Sequence, residues 1–264
     1  MQKLHAGNVQ VNIPFTMLYK SHLNRFISNK LNPEIGLDAF SLEEYAFSDF
    51  KTIAAQFEQN ASSVTIHAPF IDMAPGSPDT LIREATRRRF EQVLRLVPVF
   101  KAKTVVCHAN YERKRYAFMR EIWIENSLKT WQWLGKNIKD AGARLMLENV
   151  YEHGPDDIRI LFENLEEHEV GLCMDIGHQT VFSRTPLEKW LESLGDYIGQ
   201  VHLHDNFGKQ DEHLAPGKGS INFSPLFDYL RKRKKAFPVI TLEPHREEDL
   251  QPAFEYLEKI SGQQ

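Results

Sequence analysis

Cysteine is scarce in this chain: two among 264 residues, Cys107 and Cys173, each inside a short apolar run. That excludes a disulfide framework and a zinc ribbon, and it suits a reducing, cytoplasmic setting. Long hydrophobic runs are missing too. None approaches the ~20 residues of a membrane-spanning helix. The opening Met1-Gln2-Lys3-Leu4-His5 lacks the basic start and apolar stretch of a signal peptide. Neither charge sign dominates: 32 Lys and Arg stand against 36 Asp and Glu, net −4, so no global field draws nucleic acid or an anionic membrane. A glycine-rich nucleotide turn is also absent, since Ala6-Gly7-Asn8-Val9 near the first strand offers one glycine. The final Ser261-Gly262-Gln263-Gln264 reads as a frayed end.

Short apolar runs are present in regular succession. Eight strands are expected near residues 4–11, 34–39, 64–67, 103–108, 144–149, 170–175, 200–205 and 238–243. Most are continuous in apolar residues, as strands buried on both faces are. The intervals are long enough for a helix and two loops, which parallel pairing needs. Leu81 to Val97, Tyr116 to Ala141, Pro186 to Leu194, Ser224 to Leu230 and Glu247 to Ile260 carry helical spacing. Ser77-Pro78-Asp79 looks like an N-cap with proline at the first helical position, Pro98 falls near the end of its helix, and Gly142 stops another. Eight alternating units in 264 residues, against roughly 250 for a (β/α)₈ barrel, predict an α/β fold: one TIM barrel domain over 1–264.

Six of these runs end in a residue that binds metals. They finish in His67, His108, Glu148, Asp175, the pair His202 and His204, and Glu243. In a closed parallel barrel all six ends converge on the C-terminal mouth, where such folds place their chemistry. His202 and His204 are two apart and so share a face. Asp175 and His178 bracket Gly177, which lets the chain turn sharply, and Asp211 and His213 lie two apart in the polar loop after the seventh strand. Imidazole and carboxylate together suit zinc, manganese or another divalent first-row metal. A lone histidine at a strand end is more often a hydrogen-bonded structural residue. Glu148 is different, because an unpaired buried carboxylate is costly. Cys107 and Cys173 read as core fillers, with Cys107 pointing away from His108. Tyr111, Trp123, Trp131, Trp133 and Phe182 are aromatic candidates for lining a pocket; the tryptophans, inside a helical stretch, are better placed to pack on the barrel.

With these motifs in hand the chain resembles the xylose isomerase-like barrels, which include endonuclease IV and the sugar and sugar-phosphate isomerases and epimerases. The resemblance rests on Ile66-His67-Ala68-Pro69, Val106-Cys107-His108, Leu147-Glu148-Asn149, Asp175-Ile176-Gly177-His178, His202-Leu203-His204-Asp205-Asn206, Asp211-Glu212-His213, Pro216-Gly217-Lys218-Gly219 and Leu242-Glu243-Pro244, and it covers nearly the whole chain. It implies a central divalent metal on Glu148, Asp175, His202 and Glu243, with His204 a rival for the histidine. By resemblance to endonuclease IV, His67 and His108 would hold a second ion and share Glu148. His178, Asp211 and His213 would hold a third.

Two reactions follow from that resemblance. One is phosphoester hydrolysis at a site of one to three zinc ions, with Glu148 as bridging carboxylate, Glu243 and His178 as further catalytic groups, and Lys218, Arg113 and His204 toward the substrate. Lys114 and Arg115 lie beside Arg113, and all these cations could equally be a solvated face. The other is isomerisation or epimerisation at a single metal, manganese or magnesium included, with Glu148 and Glu243 moving protons and His178 on the substrate. Against it, the arginine such epimerases place six residues past the metal histidine is replaced by Gly208 or Gln210. The fuller ligand set favours hydrolysis. A small phosphorylated or carbohydrate substrate is expected over DNA, because Arg87-Arg88-Arg89 and Arg231-Lys232-Arg233-Lys234-Lys235 fall in or at the ends of helices, away from the mouth, while a mouth loop, Glu152 to Asp157, is acidic or mixed. A metal-dependent binding protein would account for the ligands but not for open positions around them.

Overall fold

The computed structural model describes residues 9–262. Eight strands form a closed barrel in chain order: β1 Val9–Pro14, β2 Pro33–Gly36, β3 Thr65–His67, β4 Thr104–His108, β5 Arg144–Glu148, β6 Gly171–Asp175, β7 Ile198–Leu203 and β8 Val239–Leu242. Every neighbouring pair is parallel, and β8 closes on β1. Helices pack outside, the longest being Thr80–Phe100 and Arg120–Asp140. This is the expected (β/α)₈ barrel. No helix among the described residues is long and apolar enough to cross a membrane.

The boundaries differ from the expected ones for local reasons. Residues 4–8 of the first expected strand lie outside the described residues. β1 instead runs on through Asn12, a polar residue that interrupts the apolar run but is paired inside the barrel, its amide donating to Glu34 and Glu243. β2 stops at Gly36 because Asp38 begins a helix, accepting from the Ser41 amide in a capping box. Asp79 itself caps Thr80–Phe100 by accepting from Leu81, so Pro78 lies before the helix rather than in its first turn, and the helix continues past Pro98 to Phe100. The stretch expected as one helix from Tyr116 is split: Arg113–Tyr116, a 3₁₀ turn, then Arg120–Asp140, closed by Gly142 at φ 85°.

Outside the barrel, large buried side chains such as Phe57, Phe90, Trp131, Phe162, Trp190 and Phe227 fill the layer between strands and helices. Tyr111 and Trp123 pack together at 4.7 Å, both fully buried. Trp133 lies under Arg87 on the outer surface. These are packing residues: Trp123, Trp131 and Trp133 lie on the helix Arg120–Asp140, and Tyr111, in the loop after β4, packs on Trp123. Cys107 joins the outer layer, whereas Cys173 packs with Val106 and Met146 in a small separate cluster. Both are unpaired and buried.

The barrel interior is polar where apolar layers are usual. Gln200 accepts from Thr104 at 2.6 Å and donates to Thr241 at 3.0 Å and to Glu34. Thr65 and Thr241 also donate to Glu34, each at 3.1 Å. This network is the floor of the mouth above it.

Candidate metal centre

The strand ends meet around Glu148, the last residue of β5, which is 1% exposed. One of its oxygens lies 3.1 Å from His67 Nε2 and 3.5 Å from His108 Nε2; the other lies 3.1 Å from His178 Nδ1 and 3.5 Å from His202 Nδ1. His202 Nδ1 is also 3.2 Å from Glu243 and 3.9 Å from Asp175. Asp211 lies 3.2 Å from His178 Nε2 and 3.1 Å from His213 Nε2. All nine residues expected as ligands are therefore drawn into one cluster, most of them buried.

The backbone explains the placement. Asp175 ends β6 and caps the helix Ile176–Phe182, its carboxylate accepting from the His178 amide at 2.6 Å. That first helical turn swings the His178 ring back toward Glu148. Asn149 clamps the Asp175 peptide unit, accepting from its N–H and donating to its carbonyl, each at 2.9 Å. Gly177 has a different reason from the sharp turn expected of it: it sits inside the helix, and a methyl group there would collide with the His204 ring. After β7 the loop is gathered by Asp205, a fully buried carboxylate that accepts from the amides of Asn206, Gly217, Gly219 and Ile221. The bridge between Asp205 and Leu214 then returns the loop, and His213 adopts a left-handed backbone at φ 49°. Such a conformation persists only where its surroundings hold it.

Most of these histidines have one ring nitrogen held by an oxygen and the other turned into the cluster. His67 Nδ1 meets the Ala68 carbonyl at 2.9 Å, His178 Nδ1 the Asn149 carbonyl at 3.1 Å, and His213 Nδ1 the Glu243 carbonyl at 3.3 Å. His202 Nε2 meets the Glu34 carboxylate at 3.0 Å, and His204 Nε2 meets Asp175 at 3.1 Å. Such partners set the tautomer and aim the free nitrogen, as in metal-binding histidines generally. His202 Nδ1, His204 Nδ1 and Asp211 Oδ1 are buried without a hydrogen-bond partner. Acceptors left bare in this way fit cations among them. Among the described residues, five overlapping groups of three or four donors lie close enough to hold an ion, including His67/Glu148/His202, Asp175/His204/Glu243 and His178/His204/Asp211/His213.

The charges reinforce the picture. Burial works to protonate Glu148, but the surrounding imidazoles hold it well below the usual carboxylate range. Burial likewise opposes charge on His178, yet Asp175, Asp211 and Glu148 raise it well above an ordinary histidine. His108, which stacks on Phe70 at 4.7 Å, is pushed down to about 3 by burial. Glu243 moves the opposite way from Glu148, raised by burial and by the neighbouring carboxylates.

Not every expected site residue joins. Lys218 pairs with Asp249, and Arg113 is exposed in the helical turn after β4. Among the aromatics, Phe182 does stand beside the cluster, 6.0 Å from His178 and packed on Tyr151. Sequence reasoning missed Glu34, Asn12 and His245. The first could have been found, since a glutamate within a buried strand demands a partner as much as Glu148 does.

Comparison with known proteins agrees with this fold. The family described as xylose isomerase-like TIM barrel matches residues 32–260, and the chain belongs to it. The uncharacterized protein MJ1614 of Methanocaldococcus jannaschii is 31% identical over 203 residues, 74% of this chain and 76% of its own. For MJ1311 of the same organism the figure is 28% over 177 residues, 64% of this chain but only 60% of that relative's length. A probable endonuclease 4 of Mycoplasma mobile is 26% identical over 235 residues, 80% of this chain and 77% of its own. Among solved structures, the TTHB071 protein of Thermus thermophilus, soaked with ZnCl2, superposes with a TM-score of 0.83 at 26% identity, covering 97% of this chain and 99% of that one. A D-tagatose 3-epimerase-like protein superposes at 0.79 and 21% identity, covering 98% and 97%.

Proposed function

We propose that this protein is a metal-dependent phosphoester hydrolase acting on a small phosphorylated or carbohydrate-containing metabolite through a multinuclear zinc centre. The observation that carries this reading is the position of Glu148, with His67 and His108 on one carboxylate oxygen and His178 and His202 on the other. A carboxylate so placed can bridge ions. Glu148, Asp175, His202 and Glu243 would hold the central one, His67 and His108 with Glu148 a second, and His178, Asp211 and His213 a third. Zinc, when bound, supplies Lewis-acid stabilisation of phosphoryl oxygens and makes water acidic enough to attack near neutral pH. Glu243, 3.2 Å from His202 Nδ1, would serve the centre as a carboxylate, the form in which it can hold an ion. His178 lies 3.2 Å from Asp211 and 6.0 Å from the Phe182 ring. Arg113 remains exposed for phosphate contact; Lys218 would first have to leave Asp249. Two reduced, buried cysteines fit a cytoplasmic address.

The chain's cationic runs support a small substrate over DNA. Arg87 is engaged with Glu91 and Trp133, Arg231 with Asp228 and the Ile260 carbonyl, and Arg233 with the carbonyls of Ile198 and Ala236. Groups spent on their own fold have little left for phosphates.

One observation favours isomerisation or epimerisation at a single divalent metal. Glu148 and Glu243 flank the same histidine with their pKa values pushed apart, the arrangement that assigns one base and one acid. Elemental analysis of protein purified without chelator separates the readings, followed by phosphomonoester, phosphodiester and ketose panels. Two or three zinc per chain with phosphoester turnover, abolished in a folded Glu148→Ala variant, supports hydrolysis. One metal per chain with sugar epimerisation overturns it.

A further inference from the structure

His202 and His204 lie on the same face of the strand end, yet their free nitrogens go to different places. His202 Nδ1 faces Glu148 and Glu243, whereas His204 Nδ1 faces Asp211 Oδ1 at 3.5 Å. We infer that His204 is a fourth protein donor to the site of His178, Asp211 and His213, and that this site is closed: its ion holds the mouth together and does not receive substrate. The inference rests on the multinuclear reading above and adds a ligand and a role to it.

Four observations carry it. His204 is fully buried, and neither its Nδ1 nor Asp211 Oδ1 has a hydrogen-bond partner. In the neutral ring that donates Nε2–H to Asp175, Nδ1 carries a lone pair, so two bare acceptors point at one another. That arrangement is repulsive unless a cation lies between them. Second, one donor atom from each of His178, His204, Asp211 and His213 falls within 4.8 Å of all the others. Third, the His204 ring lies flat on His213 at 3.8 Å and 6°, and His213 on His245 at 3.9 Å and 5°. Parallel stacking suits neutral rings, which is the state a metal-bound imidazole has. Fourth, residue 177 is glycine where any side chain would strike the His204 ring.

Three imidazoles and one carboxylate complete the four-coordinate shell of a structural zinc site, whereas catalytic sites keep three protein ligands and an open position. The site of His67, His108 and Glu148 is assigned three donors, so an open position belongs there. Asp175 ties the two regions together, since the carboxylate that serves the centre also orients His204.

The experiment compares zinc-loaded wild type with His204→Ala and Gly177→Ala, the latter leaving every donor in place. Zinc retained after dialysis against graded chelator is measured together with circular dichroism and the visible spectrum of cobalt-substituted protein. Both variants should lose one zinc equivalent that wild type keeps, with affinity lowered at least about 10–100-fold, the loss seen even for partners one shell further out. The intense absorption of four-coordinate cobalt should fall with it. Several equivalents held as tightly in folded His204→Ala as in wild type would overturn the inference while leaving the multinuclear reading intact. A single equivalent in wild type would overturn both. If His204→Ala does not fold, wild-type cobalt absorption decides: absence of the four-coordinate bands overturns it.

Discussion

An imidazole has two nitrogens, and at this mouth an oxygen has claimed one nitrogen of most rings. Glu34 is the clearest case, because its carboxylate holds His202 Nε2 while Asn12, Thr65, Gln200 and Thr241 hold the carboxylate. Glu34→Gln keeps the shape and removes the charge that favours the metal-binding tautomer. Zinc affinity at the centre, measured by chelator competition, is expected to fall about 10–100-fold, with the protein still folded. Unchanged affinity would return Glu34 to a purely structural role. Glu152 offers a pH test away from the ligands. Burial pushes it up to about 7 even though Val150 and Tyr111 donate backbone N–H groups to it. A carboxyl raised on folding binds its proton more tightly in the native state. Its contribution is therefore full below the unfolded value near 4.5 and lost as pH rises through about 7. The loss is on the order of 3 kcal/mol. Glu152→Gln should flatten that slope: the difference in urea midpoint between pH 5 and pH 8 should shrink relative to wild type. An identical pH difference in both proteins would contradict it.

At the scale of elements, the loop after β7 carries Asp211 and His213, and Asp205 organises it. Four backbone N–H groups converge on that one carboxylate, and Asp205 and Leu214 exchange backbone hydrogen bonds. Bonds to a charged acceptor contribute about 1.5–3 kcal/mol each, though not additively. Asp205→Ala is expected to cost at least about 3 kcal/mol in denaturant unfolding. It should also release outer-site zinc, although it touches no ligand. Full zinc retention would show that the loop is held by the metal ligands rather than by Asp205. Strand periodicity explains a second element-level feature: Leu203 points into the apolar packing between two inward histidines, and Cys107 points outward beside inward His108.

Over the whole molecule, barrel closure turns six separate strand ends into one cluster, and the bound ions should in turn staple those ends together. Stripping the metal is expected to lower the melting temperature, and zinc should restore it. A ligand that binds only the native state at 100 times its dissociation constant adds about 2.7 kcal/mol per site. Metal uptake at neutral pH should also release protons to the buffer, because His178 is raised by its carboxylate neighbours and must give up its proton to bind. Calorimetry in buffers of different ionisation enthalpy measures this; a heat independent of buffer would contradict it.

The order of apolar runs, their spacing and the ligand residues that end them were enough to read an eight-stranded parallel barrel and nine cluster residues from the chain alone. Those features are periodic or terminal, and so are local in the sequence. Other features depended on tertiary structure because they are contacts between distant strands. Glu34 of β2 reaches His202 of β7 across the barrel interior. Lys218 is claimed by Asp249, 31 residues on. Trp123, Trp131 and Trp190 are buried against the barrel, and the strand ends shift wherever a paired polar residue such as Asn12 extends an apolar run. Which nitrogen of each histidine faces inward was likewise decided only in three dimensions, because the oxygen that holds the other nitrogen often comes from another part of the chain.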